Sequence, residues 1–170
     1  MFAVYTYIAT TLTDVTGMSS VWVPLALMMF GAGMVVGNMV GGRLADWSVI
    51  RSLYLTMTAL GIALAAFVVA AHNPVTAMAL LFAIGASGSA IGPALQTRLM
   101  DVAADAQTLA AALNHSALNI ANATGAWIGG LVIAAGLGYT APAAAGAALA
   151  ALGLIILTIS VVLHRKEAIA

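Results

Sequence analysis

Ten charged side chains in 170 residues fall in only four places along the chain. Asp14 stands alone. Arg43, Asp46 and Arg51 form a second group, Arg98, Asp101 and Asp105 a third, and Arg165, Lys166 and Glu167 a fourth. Uncharged stretches run between them from Val15 to Gly42, from Ser52 to Thr97 and from Ala106 to His164. A membrane-spanning helix needs about 20 mostly apolar residues. The first stretch therefore holds one span, and the second and third hold two each. The stretches are continuously apolar, without the alternation of barrel strands, and this selects helices.

Composition closes the other routes. The chain is 64% hydrophobic and 6% charged, against about 25% charged in an ordinary soluble domain. That supply cannot cover a water-soluble surface, and a net charge of zero excludes a basic nucleic-acid binder and a disordered tail. The chain has no Cys, which removes disulfides, zinc–thiolate sites and thiol nucleophiles. None of His72, His115 and His164 has a partner at ligand spacing. No enzyme, metal or cofactor is expected, and the chain reads as a multi-pass protein of the cell membrane, with the lipid bilayer as its first partner.

Turn signals divide the longer stretches. In His72-Asn73-Pro74, Asn73 can cap a helix and Pro74 suits its first turn. Gly136 to Pro142 divides the third stretch, with Thr140 as the expected cap. Spans are expected near 20–42, 52–71, 74–97, 107–135 and 141–163. Ahead of them, residues 1–13 are apolar and aromatic but too short to cross. They lack a basic leader and a cleavage site, and read as the outer part of a sixth helix, itself truncated. Arg43, Arg51, Arg98, Arg165 and Lys166 all fall on one side of this arrangement and none on the other, which makes their side, and the C-terminus, cytoplasmic. Six helices make two triplets, the second inverted relative to the first, as in many secondary transporters.

Small and polar residues mark particular faces. Gly33, Gly37 and Gly41 recur every four residues beside Asn38, with Gly88 and Gly92, and Gly125 and Gly129, at the same spacing. Such spacing lets helix backbones approach closely. It suits static packing first and a sliding contact second. The fifth span is the most polar. His115, Asn119 and Asn122 share one stripe within about 60°, at 100° per residue, with Asn114 beside it. Side chains of this kind at mid-depth must face protein or water, either as hydrogen-bond glue between helices or as the wall of a solute cavity. Pro93 is expected to kink the fourth span. Tyr5, Tyr7 and Trp22 read as interfacial aromatic anchors.

Gly42-Arg43-Leu44-Ala45-Asp46, with Arg51 five residues on, is the strongest local signal. Taken alone it is positive-inside anchoring, with Arg43 and Asp46 able to meet on one helical face. Together these residues resemble the loop signature of the major facilitator superfamily, although Trp47, Val49 and Ile50 depart from its basic–Gly–basic pattern. The segment Ala112 to Asn122, continuing through Gly125, Gly129 and Gly130 to Pro142, is similar to the eleventh helix of drug:proton antiporters of the arabinose- and chloramphenicol-efflux type.

The resemblance implies an all-α six-helix bundle over residues 1–170, the C-terminal half of a twelve-helix fold with a 3+3 inverted repeat. It implies proton-coupled efflux of small amphiphilic solutes by alternating access, shared with an N-terminal six-helix half or a second copy. Asn114, His115, Asn119 and Asn122 would line the solute cavity. Gly42, Arg43, Asp46 and Arg51 would form a cytoplasmic gate loop. A self-pairing half-transporter and a non-transporting scaffold are the other readings.

Overall fold

The computed structural model describes residues 1–103 and 106–167, with side chains described as far as Leu163. Asp105 and the side chains of Arg165, Lys166 and Glu167, which enter the charge groups above, lie outside the described residues. The elements are α1 (Phe2–Thr6), α2 (Ile8–Thr10), a π-helical turn at Thr11–Val15, a 3-10 turn at Ser20–Trp22, then α3 (Val23–Trp47), α4 (Val49–Ala70), α5 (Pro74–Val102), α6 (Gln107–Ala134) and α7 (Ala141–Glu167). No strand occurs among the described residues. Among the described residues, five helices are long and apolar enough to cross a membrane.

Local chemistry sets the ends. The Asn73 side chain accepts hydrogen bonds from the backbone N–H of Val75 at 2.9 Å and Thr76 at 3.4 Å. Pro74 fills the first position of α5, where its missing N–H costs nothing. The α6–α7 turn uses Gly136 and Gly138 at φ +79° and +83°, a region costly for any residue with a Cβ. The first segment is broken rather than continuous: Tyr7 leaves helical geometry at φ −110°, ψ 12°, and a π turn follows.

Two bounds differ from expectation. α3 continues to Trp47 and α5 to Val102, five residues beyond the ends set by the last uncharged residue. Charges do not stop a helix; they stop its apolar span, and the final turns simply emerge toward water. The expected gate loop from Gly42 to Arg51 is therefore the end of one helix and the start of the next. Only Ser48 lies between them, extended at φ −169°, ψ 111°. Its hydroxyl accepts from the Arg51 N–H at 3.5 Å, weakly capping α4.

The packing order follows the inverted triplets. α5, first of the second triplet, lies against α3 and α4, while α1, first of the first triplet, lies against α6 and α7; α4 and α7 then meet each other. The main core gathers Val4, Ile8 and Leu12 with Phe30, Leu64, Phe67, Leu81 and Ile84. Outside it, large apolar side chains such as Val35, Ile62, Val69, Ile120, Trp127 and Ile156 remain exposed. In a bilayer they meet lipid tails, so nothing drives them inward.

Candidate functional site

α3 packs on α5 more extensively than any other pair of elements among the described residues. A methyl group on Gly33, Gly37 or Gly41 would run into the backbone of Phe82, Ala86 or Ala90, and one on Gly85 into that of Phe30. Backbone occupies the space on both sides, so these glycines set the interhelical distance.

α6 is held differently. Tyr7 lies across its glycines, with ring carbons 2.9 Å from a Cβ built on Gly129 and the hydroxyl 2.7 Å from one on Gly130. The Tyr7 hydroxyl donates to the carbonyl of Ala126 at 3.1 Å. Gly125 lies beside the backbone nitrogen of Ala3. The glycines of α6 therefore receive α1, with Tyr7 as a pin rather than an interfacial anchor. Thr11 adds a bond to the Tyr139 carbonyl at 3.1 Å, and Thr16 one to the Ala71 carbonyl at 2.6 Å. Sequence spacing gave no signal for any of these three, because each partner lies on a distant element.

The polar stripe of α6 divides. Asn114 is 6% exposed, and its amide nitrogen donates to Oε1 of Gln96 on α5. This hydrogen bond joins α6 to α5. Gln96 was unremarkable in the sequence, since an isolated amide three residues after Pro93 does not name its partner. Asn122 is half-buried and lines a cavity of about 430 Å³ at the foot of α1, together with Ser89, Gly88, Gly92 and Gly125. A methyl group on Gly88 would meet the side chain of Met1, while one on Gly92 would meet nothing within 4 Å. Pro93 lacks the N–H that would donate to the Ser89 carbonyl one turn back in α5.

His115 and Asn119 are exposed. No side-chain hydrogen bond involves them or Asn122 among the described residues. Asn119 stands near the middle of a 28-residue helix, at the depth where an unsatisfied amide costs most. About 120° around α6 from Asn119, Leu113 and Leu131 are also exposed, as a lipid-facing wall should be. α6 thus presents one apolar outer face and one polar outer face. Lipid can cover only the first.

At the charged end, Arg43 and Asp46 are exposed on the last turns of α3, and Gly42 beside them is half-buried. No carboxylate lies within ion-pair distance of an arginine among the described residues. Instead the Arg51 guanidinium sits 5.3 Å from the centre of the Trp47 ring, joining the end of α3 to the start of α4. No group of three metal-ligating side chains occurs among the described residues.

The chain matches the family model described as "Major Facilitator Superfamily" over residues 1–169. It is 39% identical over 160 residues to the inner membrane transport protein YdhP of Escherichia coli strain K12, covering 94% of this chain and 41% of that protein. It is 37% identical to the chloramphenicol resistance protein of Streptomyces lividans, covering 82% of this chain and 34% of that one. The putative transporter AraJ of Escherichia coli strain K12 is 29% identical, with 82% and 36% covered. The chain spans about two fifths of the length of the first of these relatives.

Proposed function

Because the chain belongs to the Major Facilitator Superfamily, a family of membrane transporters rather than enzymes, we propose that it forms one six-helix half of an exporter that moves small amphiphilic solutes in exchange for protons. The observation that carries this reading is the bare polar face of α6. Exposed His115 and Asn119 at mid-span require water or a second polar body beside them, and a solute path between two halves supplies both. Asn122 extends the same face to the cavity at the foot of α1. Transport relatives that include a chloramphenicol resistance protein and probable sugar efflux transporters support an outward direction.

On this reading the partner is a six-helix body of the same superfamily, covering the polar face of α6. The cavity beneath Met1, walled by Gly88, Gly92 and Gly125, has the small-residue lining that suits a helix continuing the line of α1. The end bearing Arg43, Arg51 and Arg98 is cytoplasmic, as is the C-terminus, in the inner or plasma membrane. Gly42, Arg43, Asp46 and Arg51 act there at a helix junction, where relative motion of α3 and α4 alters the Trp47–Arg51 contact.

A chimera tests the proposal. This chain replaces the matching segment of the Streptomyces lividans chloramphenicol resistance protein, and resistance is measured in a sensitive host. The chimera should restore resistance, and His115→Ala with Asn119→Ala should abolish it at an unchanged membrane level. Full resistance in the double variant would sink the cavity role of that face.

A further inference from the structure

A second concave surface lies on the charged end of the bundle, away from α6. α3 and α4 each pack on α5 more extensively than on each other, which leaves a groove of about 320 Å³ between them. Val40 and Leu44 form one wall, Leu55 and Ala59 the other, and Ala86 and Ser87 of α5 the floor. Its hydroxyls are already used: Ser87 donates to the Ala83 carbonyl at 2.6 Å, and Thr56 to the Ser52 carbonyl at 2.8 Å. The groove therefore offers hydrocarbon and no free donor. A polar solute gains nothing there.

The mouth is different. Val40, Leu44 and Trp47 follow one another at helical spacing on α3, and Arg51, Leu55 and Ala59 do so on α4. Both walls thus run directly into the stacked Trp47–Arg51 pair. Arg43 falls between Val40 and Trp47 at three- and four-residue spacing and is exposed. Asp46 lies about 100° from Trp47 around the helix and three residues from Arg43, so it flanks Arg43 on the side away from Val40 and Leu44. Two guanidinium groups and an indole that is 66% exposed therefore rim a groove otherwise made of hydrocarbon. Such a rim matches an anionic headgroup at the membrane interface.

We propose that this groove seats one anionic diacyl phospholipid, its phosphate between Arg43 and Arg51 and one acyl chain along α3 and α4 against α5. Tails in the bilayer gain no hydrophobic energy by entering. Filling the groove restores dispersion contacts, and the arginines select the headgroup. Each arginine near an anionic lipid is worth about a fivefold preference. The proposal does not depend on transport or on the cavity role of α6.

The test uses the full chain carrying Trp22→Phe and Trp127→Phe, so that Trp47 alone reports, reconstituted in phosphatidylcholine nanodiscs. Phosphatidylglycerol brominated at mid-chain should half-quench Trp47 at a mole fraction at least fivefold below that needed for brominated phosphatidylcholine. Arg43→Gln and Arg51→Gln should each cut the preference severalfold, and together remove it. Ala59→Phe, on an exposed wall position, should weaken it at unchanged helicity; if that variant misfolds, Val40→Phe on the facing wall replaces it. Equal quenching by the two lipids overturns the proposal, as does a preference that survives loss of both arginines. A preference untouched by a filled groove also overturns it, because the lipid would then be gathered at the surface without a seated chain.

Discussion

The α3–α5 seam and the surroundings of α6 are built from the same residue types at the same spacing, yet they do opposite things. In the seam, Gly33, Gly37 and Gly41 meet backbone, with no free volume left. Around α6, Gly125 meets the Ala3 backbone only at ordinary contact distance, and Gly129 and Gly130 meet chiefly the Tyr7 side chain. A methyl on Gly92 of α5 would face empty space, and the polar stripe of α6 finds one partner for four side chains among the described residues. A four-residue glycine repeat announces a smooth face. What lies against that face decides whether it is a weld or a joint. In the seam backbone meets backbone, whereas α6 keeps at His115 and Asn119 a polar face that no side chain among the described residues pairs with.

The sharpest way to break this contrast is Gly37→Val. Its branched side chain must displace the backbone of Ala86, at a cost of about 3 kcal/mol. The variant should fail to accumulate, or melt far below the parent in detergent; parent-like melting would mean the seam is not a weld. Tyr7→Ala should follow, losing both ring packing over Gly129 and the bond to Ala126, with a loss of about 2–3 kcal/mol. Tyr7→Phe, which keeps the ring, should lose only about 1 kcal/mol. Equal losses would show that the hydroxyl, not the ring, holds α1 to α6.

Gln96→Leu and Asn114→Leu should each cost about 1 kcal/mol by stranding the other amide. The double variant should cost less than the sum, because no buried amide is left unpaired. A strictly additive cycle would dissolve the pair that joins α5 to α6. Smallest of all is Gly92→Ala, which has room for its methyl group and gains about 0.5–1 kcal/mol of helix stability. A thermal shift upward for Gly92→Ala beside a collapse for Gly37→Val is the signature of the two regions.

Much of the fold was legible because the bilayer imposes a length and a polarity that leave a direct trace in sequence. The uncharged runs account for five long helices, and Asn73-Pro74 marks the start of α5 through a cap made entirely by neighbours. The ends at Trp47 and Val102 were not legible, since apolar length measures the membrane and not the helix. The site was legible in part. That His115, Asn119 and Asn122 share a stripe follows from helical periodicity alone. That Asn114 turns inward to Gln96, while His115 and Asn119 stay bare, depends on how α6 is rotated against α5.

The sequence by itself determined that this protein is helical, that it spans a membrane several times, and where its charged end lies. Each of these rests on properties of single segments: length, apolarity and charge. Only the tertiary structure decided which glycines are welded, that Tyr7 pins α1 to α6, that Trp47 and Arg51 bridge a one-residue junction, and that a hydrocarbon groove ends in two arginines. Those are relations between segments far apart in the chain. In a membrane, where burial drives no particular pairing, they are set by shape and by a few hydrogen bonds whose partners no local pattern names.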